Sequence, residues 1–163
     1  MSAVDEITIV HDQVKTFLDN MDWKGAILEG KEPTMPEIPL EILDKFYDAG
    51  LTLVEQKRWV DAKDVFSLLA FLVPQSQAFW MGLGLVEQSM GNFQQALVGY
   101  LVAYALDAED PPVNANIYQC LVALGNKEGA EVFFKSTIEC CDKREGFEDL
   151  KNSVIEYSKR VPQ

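Results

Sequence analysis

Apolar and polar positions alternate along this chain with a helical period. From Leu40 onward the apolar residues recur every three or four positions, and the runs break at Pro74-Gln75-Ser76, Gly91-Asn92, Pro111-Pro112 and Gly125-Asn126. This pattern predicts helices over about 40–56, 59–72, 77–90, 93–106, 111–124 and 127–141. A last helix over 145–161 carries a seam at Phe147, Leu150, Val154, Tyr157 and Val161. Before them, residues 6–29 hold a further seam at Ile7, Val10, Val14, Phe17 and Met21, followed by prolines at 33, 36 and 39. Proline fixes φ and biases its predecessor to extended geometry, so this stretch reads as a stiff linker. The N-terminal seam has to be covered by the rest of the chain or by a second copy; dimerisation is the expectation.

The helices repeat. Gly50 and Gly84 are 34 positions apart, and Ala62, Ala96 and Ala130 keep the same step, as do Phe66, Tyr100 and Phe134. The run Trp80-x-x-Leu83-Gly84, then Gly91-x-Phe93-x-x-Ala96-x-x-x-Tyr100-x-x-Ala103, follows the tetratricopeptide pattern of paired antiparallel helices. The expected fold is all-α. Three tandem helix pairs (43–76, 77–110 and 111–144) form a short right-handed solenoid, with an extra N-terminal helix and the capping helix at 145–161. The expected domain division is 1–39 for the N-terminal helix and linker and 40–163 for the repeats with their cap. Repeat 3 lacks the Trp and Leu-Gly positions and has Tyr118 where glycine is expected, as terminal repeats often do.

In such a solenoid the first helix of each pair lines the concave face. If Gly50 and Gly84 face the second helix, the residues three before, one after and four after them face the groove. That selects Tyr47, Leu51 and Val54, then Met81, Leu85 and Gln88, and, counted from Tyr118, Ala115, Gln119 and Val122. The set is mostly apolar, which suits an extended peptide: its side chains enter pockets while glutamine amides serve its backbone. A clamp for a C-terminal carboxylate is not expected, because nothing cationic is in the set.

Composition narrows the function. The chain has 26 acidic against 14 basic residues, a formal net charge of −12. Nucleic acid is an unsuitable partner, since phosphate binding needs basic groups, and so is an anionic membrane surface. The uncharged run from Val65 to Val86 is broken at Pro74-Gln75-Ser76-Gln77, where the repeat demands a turn, so it reads as two helices rather than a membrane span. Cys120, Cys140 and Cys141 are an odd count without zinc spacing and fit a reducing compartment. With His11 as the one histidine and no phosphate-binding glycine loop, neither catalysis, a metal nor a cofactor is expected. The N-terminus, with Asp5 and Glu6, carries no secretory signal pattern.

The run Phe79-Trp80-Met81-Gly82-Leu83-Gly84 with Met90-Gly91-Asn92-Phe93-Gln94-Gln95-Ala96 resembles the central repeat of the class II chaperones of bacterial type III secretion, which serve the translocator proteins. Pro111-Pro112 to Asn116, then Gln119-Cys120-Leu121-Val122-Ala123-Leu124-Gly125-Asn126 and Gly129-Ala130-Glu131, resembles that family's third repeat. The resemblance covers about residues 40–144 well. It implies a cofactor-free homodimer of the bacterial cytoplasm, not inserted in the membrane. Such a chaperone keeps hydrophobic translocators soluble by holding an extended, proline-containing client segment in the groove. It also implies that Trp59 joins Tyr47, Leu51, Val54, Met81 and Leu85 as a groove position. The competing expectation is a tetratricopeptide scaffold that joins partners without keeping a client soluble.

Overall fold

The computed structural model describes residues 39–161 together with the single helical position Thr16. The N-terminal seam at Ile7, Val10, Val14, Phe17 and Met21 lies outside the described residues. Among the described residues there are seven helices in order: α1 Leu40–Glu55, α2 Trp59–Leu72, α3 Gln77–Ser89, α4 Phe93–Leu106, α5 Pro111–Ala123, α6 Lys127–Lys143 and α7 Glu148–Arg160. Each packs on its neighbours in the chain, while α1 also touches α3 and α5 touches α7. These are three helix pairs stacked in sequence and closed by α7, as the 34-residue step predicts. The expected capping helix starts later than its seam implied, because Phe147 is the residue just before the first turn of α7.

The repeat is visible in single hydrogen bonds. Lys57 N–H donates to the Val54 carbonyl and Arg58 N–H to the Leu53 carbonyl, each at 2.9 Å. Gly91 and Asn92 make the same pair of bonds to Gln88 and Glu87, and Gly125 and Asn126 to Val122 and Leu121. Each first helix thus ends in the same left-handed cap. The left-handed residue is Gly91 (φ 80°) in repeat 2 and Gly125 (φ 71°) in repeat 3, but Lys57 (φ 58°) in repeat 1.

The side-chain columns pack as close approaches require. The Phe66 ring fills the space beside Gly50, where an added Cβ would meet ring carbons at 3.0–3.1 Å. The other side of Phe66 is covered by Gly82 of the next repeat, with no room for a methyl group. A Cβ at Gly84 would lie 2.5 Å from the Tyr100 ring, and one at Gly99 would lie 3.0 Å from the Trp80 carbonyl. The α3–α4 pair therefore packs with its backbones close together. In repeat 3 the glycine is replaced by Tyr118, whose ring packs at 5.6 Å from Phe134 and edge-on at 5.9 Å from Tyr157 of α7. The larger side chain fits there because the next layer is the cap rather than another repeat.

Two apolar cores result. One, around Leu43, Phe46, Leu53, Phe66 and Leu69, belongs to repeat 1 and takes in Val86 of α3. The other, around Tyr100, Val113, Ile117, Cys120 and Val154, joins repeats 2 and 3 to the cap. Asn114 is fully buried in the second. Its amide donates to the Ala108 and Asp110 carbonyls at 2.9 Å each, and its oxygen accepts from Ser136 at 2.8 Å. The polar side chain thereby ties the α4–α5 turn to α5 and α6. That acidic turn is also pinned from the end of α6 and the residue after it: Arg144 reaches Asp107 at 3.1 Å and Asp110 at 3.7 Å, and Lys143 reaches Glu109 at 3.2 Å.

Candidate binding groove

The first helices α1, α3 and α5 present one column of equivalent positions, Leu51, Leu85 and Gln119. Leu51 is 38% and Leu85 42% exposed, although both lie in the middle of amphipathic helices. The adjoining Gly50 and Gly84 face the rings of the second helices, so the next residue along each helix is turned outward. These two open leucines, at equivalent points of consecutive repeats, form a short apolar strip.

The other expected groove residues divide. Val54, Met81, Gln88, Gln119 and Val122 are half-buried. Tyr47 is half-buried as well, its ring edge-on to Phe66 at 5.9 Å and tilted against Phe79 at 5.7 Å. Trp59, the first residue of α2, is half-buried and packs against the repeat 1 core. Ala115 departs from expectation: it is 2% exposed and belongs to the repeat 2–3 core. Its repeat equivalents Tyr47 and Met81 are long enough to emerge from between the helices, whereas a methyl group is not.

Charge is distributed unevenly along the strip. Asp48 and Glu55, three before and four after Leu51, are exposed on the same face of α1. The charged residue of α3 is Glu87, which is 4% exposed and held by Lys63 at 2.6 Å and by the Asn92 amide at 2.8 Å. α5 carries no charged residue. The strip is therefore flanked by acidic residues in repeat 1, while α3 and α5 carry no exposed charge.

The cysteines are placed for packing rather than chemistry. All three are buried and unpaired. Burial pushes the Cys120 thiol up to about 11 and raises that of Cys141, so both are protonated at neutral pH and unsuited to nucleophilic attack. Among the described residues no group of three His, Cys, Asp or Glu side chains is arranged to hold a metal ion. Nor is any helix among them long and apolar enough to cross a membrane.

α4 presents a second apolar surface, outside the set that the repeat register selects. Val98 is 60% and Leu101 43% exposed on the outer side of α4. The available signal was the absence of any charged residue from Phe93 to Leu106, since a helix that is apolar all round needs cover on more than one side.

Comparison with known proteins agrees with this geometry. Residues 78–110 match the tetratricopeptide repeat family. Low calcium response locus protein H of Yersinia pestis is 28% identical over 119 residues, covering 72% of this chain and 70% of that protein. PcrH, solved in complex with the chaperone binding region of PopD, superimposes with a TM-score of 0.73 at 25% identity, over 78% of this chain and 96% of that one. The type III secretion chaperone SycD of Yersinia enterocolitica, solved with a peptide of the translocator YopD, gives a TM-score of 0.72 at 24% identity, over 77% and 96% of the two chains. Residues 78–110 thus carry a tetratricopeptide repeat, and the chain is similar in sequence and in fold to the translocator chaperones of type III secretion.

Proposed function

We propose that this protein is a chaperone for the translocators of a type III secretion system, holding an extended apolar client segment along the strip formed by Leu51 and Leu85. The observation that carries this reading is that strip: open leucines at equivalent positions of consecutive repeats, in a fold shared with proteins solved bound to translocator segments. A rigid groove binds a disordered segment without ATP when the burial of apolar surface exceeds the cost of ordering the segment. The protein acts without catalysis, in the bacterial cytoplasm, before the client is secreted. It works as a homodimer, a reading supported by SycD, for which an alternative dimer has been crystallised.

The exposed face of α4 favours a second reading, an adaptor that joins two partners. Co-expression with a translocator from the same genome separates the two. A chaperone brings the translocator into the soluble fraction as a stoichiometric complex. An adaptor binds a segment of it and leaves the full-length translocator insoluble.

A further inference from the structure

Gln88 and Gln119 both border the groove, but they are not equivalent. The Tyr100 side chain is fully buried, and its hydroxyl donates to Gln88 Oε1 at 2.7 Å. Gln88 Nε2 in turn donates to Gln119 Oε1 at 3.1 Å. Three residues from α4, α3 and α5 thus form one chain of hydrogen bonds running from the core to the groove.

The direction of this chain is fixed by its buried end. A buried hydroxyl proton needs an acceptor, and the partner of Tyr100 is the Gln88 side chain. The Gln88 oxygen must therefore face Tyr100, which leaves its nitrogen, a donor only, facing Gln119. Gln119 answers with its oxygen. Reversing either amide alone sets N–H against N–H or oxygen against oxygen, and reversing both leaves the tyrosine proton without an acceptor. Gln119 Nε2 is the free end. It has no hydrogen-bond partner among the described residues, and because no buried side-chain polar atom lacks a partner, it reaches solvent.

We infer that Tyr100 and Gln88 hold Gln119 so that its Nε2 is a fixed hydrogen-bond donor in the repeat 3 part of the groove, where it takes a main-chain or side-chain amide carbonyl of the client. The chemistry of the position supports a carbonyl. The free end of the chain offers two neutral N–H donors, whereas the Gln119 oxygen is already engaged by Gln88. α5 supplies no cation to offset a carboxylate, and the chain as a whole is strongly acidic. Gln119 is also the third member of the Leu51–Leu85 column. The client is therefore read as two apolar side chains followed by an uncharged carbonyl group. This inference rests on the groove reading above.

The test uses the translocator segment that resists proteolysis in the co-purified complex, made as a synthetic peptide and titrated calorimetrically into the full-length protein. Gln119→Leu is expected to weaken binding about fivefold, the effect of one lost hydrogen bond. Gln119→Glu, which replaces the donor by a charged acceptor, weakens it more. Tyr100→Phe frees Gln88 to turn and weakens binding by a smaller factor, and the Tyr100→Phe, Gln119→Leu double variant binds no more weakly than Gln119→Leu alone. Circular dichroism confirms that each variant is folded, and Gln119→Leu alone suffices should Tyr100→Phe not fold. Unchanged affinity in Gln119→Leu and Gln119→Glu, with binding lost in Leu85→Glu, overturns the donor assignment and leaves the groove intact. Unchanged affinity in Leu85→Glu as well overturns the groove reading itself.

Discussion

Lys63 of α2 and Glu87 of α3 form an ion pair at 2.6 Å across the boundary between repeats 1 and 2, with Glu87 almost entirely enclosed and Lys63 still 40% exposed. A carboxylate removed from water needs its partner more than the partner needs it. Lys63→Met is therefore expected to destabilise the protein by about 1–2 kcal/mol, the half-exposed lysine keeping the loss below that of a fully buried pair. Replacing both, as Lys63→Met with Glu87→Leu, should restore stability to within about 1 kcal/mol of the parent. Urea denaturation of the three variants measures this, and a double variant no more stable than Lys63→Met contradicts it.

Lys57 holds the left-handed cap position that glycine occupies in the other two repeats. A left-handed conformation costs an ordinary residue about 1–2 kcal/mol, and part of that is returned to glycine's greater freedom in the unfolded chain. Lys57→Gly should raise stability by about 0.5–1 kcal/mol and shift the thermal midpoint upward. Gly91→Ala, at the equivalent point of repeat 2, should shift it downward.

Gly84 has no room for a side chain against the Tyr100 ring. Alanine gains about 1 kcal/mol in helix propensity over glycine, but overpacking a close helix contact costs about 1–3 kcal/mol. The rigid, fully buried ring decides the sign, and Gly84→Ala should be net destabilising by about 1–2 kcal/mol in chemical denaturation. A stabilised variant would mean that α3 and α4 separate more easily than their packing implies.

The hydrogen bond from Arg144 holds the Asp107 carboxyl below its ordinary range, helped by the Glu109 backbone N–H. Asp110 is shifted the other way, first by burial and then by the charge of Asp107, while Arg144 partly restrains the rise. Asp107 therefore contributes stability that is complete above its unfolded value and lost as pH falls through its lower folded one. Asp110 opposes this: its contribution is present below its unfolded value and lost as pH rises through its higher folded one. Arg144→Gln removes the bond to Asp107 and the restraint on Asp110, so both carboxyls should titrate at higher pH. Carboxyl titrations followed by NMR test this, and an unmoved Asp107 would contradict it.

Most of the fold was legible because its determinants are local and recur. The 34-residue step set Gly50 and Gly84 against the second helices, where Phe66 and Tyr100 meet them, and put the breaks at Gly91 and Gly125 where the structure has them. The open column at Leu51 and Leu85 followed from the same register. What escaped depends on contacts that no period encodes. The left-handed Lys57 carries no glycine signal. The Gln88 amide is engaged by a tyrosine on another helix, and Ala115 is covered because its side chain is short. The α4 surface was hidden for a different reason: a helix with no charge on it satisfies a core pattern in every orientation.

In the proposed function the strip of Leu51 and Leu85, and not the exposed face of α4, holds the client. Paired charge insertions separate the two faces: Leu85→Glu on α3 and Val98→Glu on α4, each co-expressed with the translocator and purified from the soluble fraction. Both positions are exposed, so both variants should keep the parent helicity. Leu85→Glu is expected to lose the translocator to the insoluble fraction while Val98→Glu retains a stoichiometric complex. A complex that survives Leu85→Glu and is lost in Val98→Glu would place the client on the opposite face and contradict the proposed function.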